Sequence, residues 1–130
     1  MSLKFNRPTE ADIRIIRKTK AEAGFEVAKF AAGEFVGNMA ITWAENDVEE
    51  FPVFVRYQKI DAHPDLFDLV GAWGQVNVVA RYDAEMHTFS NVLTDRKLAG
   101  REFVVLERFL HGVACVARQA GAFGEKPLLH

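Results

Sequence analysis

The chain has a single cysteine in 130 residues, so neither an internal disulfide framework nor a cysteine-cluster zinc site is available to it. It has no surplus of one charge. Its 16 basic and 18 acidic side chains leave a net charge of −2, which argues against a dedicated nucleic-acid binder with its usual basic excess. Long apolar runs are also missing. The least polar stretch, Phe25 to Ala44, is interrupted by Glu26, Lys29, Glu34 and Asn38 and does not read as a membrane-spanning helix. Met1 to Arg7 holds no apolar segment of signal-peptide length, so a cytoplasmic location is expected. There is no internal repeat, no low-complexity segment and no motif that calls for a cofactor.

What is present is apolar bulk. Hydrophobic residues make up 49% of the chain, with eleven phenylalanines, two tryptophans and two tyrosines, which excludes a disordered chain. This length supports one domain that buries roughly two-thirds of its unfolded surface. We read residues 1–8 as a flexible start, in which Met1–Leu3 can be vector-derived, 9–121 as a single domain and 122–130 as a tail.

Thr9-Glu10-Ala11-Asp12 has the form of a capping box, and Ile13, Ile16, Lys20 and Ala23 follow at helical spacing, so a helix is expected from about Glu10 to Ala23 with Gly24 as its stop. Three strand-like runs come next: Phe25–Ala31, Glu34–Trp43 and Phe51–Ile60, with Pro52 tolerated near the start of the third. The segment Phe25–Trp43 also fits a spacing near four and could be helical. Leu66, Leu69, Val70 and Trp73 form one helical stripe and predict a middle helix weakened by Gly71 and Gly74. Val76–Tyr82 and Met86–Leu93 read as a hairpin turned by Asp83-Ala84-Glu85. Phe103, Leu106, Leu110, Val113 and Ala117 make the strongest periodic signal, a closing helix stopped by Gly121. The expected layout is α+β, in the order α-β-β-β-α-β-β-α, with a mostly antiparallel sheet packed by helices.

That order, with Asp65-Leu66-Phe67 entering the middle helix, Arg81 to Phe89 as the last hairpin and Leu106-Glu107-Arg108-Phe109-Leu110 in the closing helix, resembles the YbjN-type regulators and the class I chaperones of type III secretion. The pattern runs over about residues 9 to 120 but no invariant motif anchors it. Trp73 is followed by Gly74 where the YbjN group often has a Trp-Asn pair, and a net charge of −2 is less acidic than the chaperones. The resemblance implies a dimeric, non-enzymatic protein-binding module.

Its patterning supplies a candidate surface. Phe54 and Ile60 oppose Phe51, Val53, Val55 and Tyr57 on one strand, so a sheet covered on one side only would expose apolar side chains to a partner. Phe54, Tyr57 and Ile60 are the expected contacts for an extended apolar segment of a protein partner. Leu66, Val70 and Trp73, on the middle helix, are the expected homodimer contacts. An alternative is a small-ligand-binding or enzymatic domain with an aromatic-lined pocket, in which His87, Arg81 or Asp83 converge. A third is a helix-turn-helix regulator, suggested by the basic residues Arg14, Arg17, Lys18 and Lys20 of the first helix.

Two further clusters have plainer readings. Asp61, His63, Asp65 and Asp68 have the chemistry of divalent-metal ligands, but a polar loop accounts for them, and no metal site is assigned. His111 and Cys115 lie one helical turn apart, and Cys115 reads as one more small apolar residue rather than a catalytic thiol. No catalytic residue is assigned.

Overall fold

The computed structural model describes residues 7–31, 33–60, 62–63 and 65–119. Two helices flank a six-stranded antiparallel sheet: α1 (Glu10–Lys18), β1 (Glu22–Ala31), β2 (Glu34–Ala44), β3 (Asp47–Lys59), β4 (Leu66–Trp73), β5 (Val76–Asp83), β6 (Thr88–Thr94) and α2 (Arg101–Gln119). The strands follow in sequence order across the sheet, β1-β2-β3-β4-β5-β6. The layout is α+β, as expected, with the order α-β6-α.

One expected element is replaced. Leu66–Trp73 is a strand, not a middle helix. The spacing that suggested a helix coexists with a period of two: Phe67, Leu69, Gly71 and Trp73 are buried on one side, and Asp68 and Val70 are exposed on the other. Gly71 tips the balance. It costs a helix interior about 1 kcal/mol against alanine, whereas in the strand its missing side chain admits the Phe109 ring. A Cβ there would lie 3.1 Å from Phe109 Cζ and 2.8 Å from the Phe54 carbonyl oxygen. The order of elements behind the family resemblance is therefore not the order this chain adopts.

Phe25–Trp43, which also fitted a helix, lies in β1 and β2, so no helix-turn-helix follows α1. The first helix starts with its expected capping box. The Asp12 amide donates to Thr9 Oγ1 at 3.2 Å, and the Thr9 amide donates to Asp12 Oδ2 at 2.9 Å. It ends at Lys18 rather than Ala23: Thr19 is extended, at φ −75° and ψ 123°, and from Glu22 onward the backbone pairs with β2. Arg108 donates from Nη2 to the Thr19 carbonyl and from Nε to the Ala21 carbonyl, both at 3.0 Å.

Helix α2 lies on one face of the sheet. Phe103, Val104, Val105, Phe109 and Val113 are buried there against Met39, Ile41, Val55, Leu69, Val78 and Tyr82. Its apolar side is broad because it meets several strands at once. Arginines fasten it along its length: Arg101 pairs with Asp47 at 3.1 Å and lies 4.0 Å from the Trp43 ring, Arg108 holds the α1–β1 connection, and Arg118 donates to Tyr82 Oη at 2.7 Å. Gly121 and the tail from 122 lie outside the described residues.

Candidate functional site

The strand register defines what the other face of the sheet presents. Val36 of β2 is opposite Phe54 of β3, which is opposite Ala72 of β4. One row over, Arg56, Val70, Val79 and Leu93 align across β3 to β6. Two apolar rows thus lie side by side on a face that α2 does not cover. Val70 is 49% exposed, Leu93 39% and Val36 37%. A shallow groove of about 350 Å³ runs between Asp68, Val70, Val79, Arg81 and Leu93. Charges of both signs border the rows. Arg56 Nη2 is 3.5 Å from Glu34 Oε2, and Arg81 Nε is 3.4 Å from Asp68 Oδ1.

A cleft of about 380 Å³ lies on the opposite side, where the last turns of α2 meet the β5–β6 hairpin. Tyr82 is buried and packs on Phe89, with ring centroids 4.8 Å apart. Tyr82 Oη lies 3.4 Å from His87 Nδ1, and Arg118 Nη2 reaches both groups. The hairpin turn holds His87 in place: Asp83 Oδ1 accepts from the amides of Glu85 and Met86, and His87 itself has φ 57°. On the α2 wall, Cys115 Sγ is 3.7 Å from His111 Nε2.

A larger cleft of about 570 Å³ lies at the start of α2, beside Trp73 and Phe51. Its charged groups bind one another or the fold. Arg96 pairs with Glu102, Arg101 with Asp47, and Glu49 accepts from Trp43 Nε1 at 3.0 Å. Below it Asp95 accepts from the side chain and amide of Asn77, at 2.7 and 3.1 Å. Chiefly the side-chain bond holds the Asp95 carboxyl below the ordinary carboxylate range. This end of the molecule is a structural lock.

No family model, no curated protein and no solved structure matches the chain.

The expected contact residues divide between the two faces of the sheet. Phe54 is half-buried on the open face, and Ile60 is half-buried just past β3. Tyr57 is buried on the α2 side, at 8% exposure, so it is no part of an accessible contact surface. Burial raises its phenol above the ordinary value. The three expected dimer contacts likewise separate. Leu66 and Val70 belong to the open face of β4, whereas Trp73 is buried on the other, its ring 5.5 Å from that of Phe109. A period of two places residues 66 and 70 together and 73 opposite; only a helix would have grouped all three.

Of the polar groups expected to converge, His87 lines the cleft, Arg81 pairs with Asp68 on the open face, and Asp83 caps the hairpin turn. Cys115 is exposed at the cleft rather than packed as an apolar residue. Asp61 lies outside the described residues, and among those described no group of three or more His, Cys, Asp or Glu is placed to hold a metal. No helix among them is long and apolar enough to cross a membrane. Val36, Ala72, Val79 and Leu93 were not singled out from the sequence, although alternation along their strands marked them as opposite to the core.

Proposed function

We propose that the chain is a protein-binding module that works as a homodimer, its two copies joined through the open faces of their sheets. The observation that carries this is the pair of aligned apolar rows, Val36-Phe54-Ala72 and Val70-Val79-Leu93, on the face that no helix among the described residues covers. An apolar face of this kind gains by being buried against another. The border favours a second copy over a strongly acidic or basic partner. Lys29, Arg56 and Arg81 alternate there with Glu34, Glu50 and Asp68, so the face carries both signs and complements itself across a twofold axis. Two such sheets can pack at about 10 Å, with inner side chains interdigitated. Six strands at about 4.8 Å spacing and seven residues deep make a face of roughly 600 Å² in projection, the same order as the ~800 Å² per partner of a standard interface.

A cytoplasmic setting forms part of the proposal, in keeping with an exposed unpaired thiol at Cys115. Sedimentation velocity tests the dimer. The wild-type chain is expected to sediment as a dimer, and Val70→Glu as a folded monomer with an unchanged circular dichroism spectrum. A monomeric wild type at high concentration, or Val70→Glu and Val79→Glu both remaining dimeric, overturns the reading.

A further inference from the structure

We propose that the outer edge of β1 pairs antiparallel with β1 of a second copy, about a twofold axis between Val27 and Ala28. This contact is separate from the open face and joins dimers to one another at high concentration. β1 ends the sheet, so its outer amides and carbonyls have no neighbouring strand among the described residues. Such an edge is a template for a further strand. No residue of β1 is buried, and Val27 and Phe30 are each 40% exposed.

The side chains favour a second copy as the occupant. With the axis between residues 27 and 28, Glu26 of each copy faces Lys29 of the other, and Phe25 faces Phe30. Opposite charges and apolar pairs set directly across two strands stabilise the pairing, whereas like charges oppose it. Neither Glu26 nor Lys29 has a side-chain partner within its own chain among the described residues.

In an unbroken strand this register would fail, because residues 26 and 29 would point to opposite sides of the sheet. A bulge corrects it. Val27 pairs with Gly37 of β2 and Lys29 with Val36, which leaves Ala28 as the extra residue. Glu26 is thus opposite Asn38 and Lys29 opposite Val36, both on the open face. Phe25 is opposite Met39 and Phe30 opposite Phe35, both on the α2 side. Each proposed pair therefore shares one face. The bulge itself depends on Gly37, where a Cβ would run into the Glu26 carbonyl oxygen. A bulge ordinarily blunts an edge, because an incoming regular strand loses register across it. A second copy brings an identical bulge to the axis, two residues meet two, and the register holds on both sides.

Sedimentation equilibrium up to millimolar chain tests the contact. The wild type is expected to pass from dimer to tetramer. Glu26→Lys alone sets like charges opposite one another and should weaken this second step at least tenfold, and Lys29→Glu alone should do the same. The double variant, Glu26→Lys with Lys29→Glu, restores opposite charges at the wild-type net charge and should associate as the wild type does. An equimolar mixture of the two single variants restores them between unlike chains and should also associate. Absence of any species beyond the dimer overturns the proposal. So do single variants that associate as tightly as the wild type, or a double variant that does not recover. The open-face reading is tested apart from this one, because Val70→Glu leaves the β1 edge intact. In that background the chain should run from monomer to an edge-paired dimer, and adding Glu26→Lys should dissolve it; a dimer that survives Glu26→Lys is not joined through β1.

Discussion

The ring of Phe25 occupies the place where a side chain on Gly112 would be. A Cβ at Gly112 would lie 2.1 Å from Phe25 Cε1. This contact brings the outermost strand β1 onto α2, and it requires glycine in the middle of the helix.

Gly112→Ala therefore separates two effects of opposite sign. Helix propensity alone favours alanine by about 1 kcal/mol, whereas overpacking costs about 1–3 kcal/mol. We expect a net loss in urea unfolding. In a Phe25→Ala background the obstruction is gone, and the same substitution should stabilise. If it stabilises in both backgrounds, the ring does not occupy that space.

Trp73→Ala should behave as a core truncation, not as an interface change. Trp73 is 3% exposed and packs on Phe109, so the expected cost is about 3–5 kcal/mol. Denaturant melts measure it. A well-folded Trp73→Ala chain that loses only its oligomeric state would contradict its placement in the core.

These placements show what was legible in the sequence. The capping box, the closing helix and the strands β3, β5 and β6 could be read because one periodicity dominated each, whereas Phe25–Trp43, which forms β1 and β2, also fitted a helical spacing. Residues 66 to 73 satisfied two periods at once. The choice depended on Phe109, almost 40 residues away, fitting over Gly71. Open-face residues were legible one strand at a time, as with Phe54, but their alignment into rows depends on register. His87 was visible as a candidate. Its convergence with Arg118 was not, because it requires α2 to cross the sheet and end above the β5–β6 turn.

Tyr57 links its burial to alkaline stability. Desolvation raises the phenol above its ordinary 10.0, while a backbone hydrogen bond from Gly33 opposes the shift. A native pKa above the unfolded one gives a contribution that is fully present below about pH 10 and is lost as pH rises through the native value. Tyr57→Phe should reduce the fall in melting temperature on the alkaline side. Parallel curves for the two chains would show that Tyr57 does not carry the effect.

Asp95 acts in the opposite direction. Its carboxyl is held below the ordinary 3.8, chiefly by the Asn77 side chain, so its contribution is present above that pH and is lost as pH falls through the native value. Asp95→Asn should be less stable than wild type at neutral pH, and the gap should close below about pH 4. A gap that persists unchanged in acid would mean that the carboxylate charge is not what Asn77 recognises.

The sequential order of the strands also bears on how the chain is made. Every ladder joins neighbours in sequence, so each can zip up after closing a short loop. The farthest-reaching bonds described belong to Arg108, which spans 87 residues to Ala21 and 89 to Thr19. During synthesis all six strands leave the ribosome before α2 does. Until α2 emerges, the broad apolar face that it later covers is open along with the apolar rows of the other face, and it is in this interval that the chain is most exposed to aggregation.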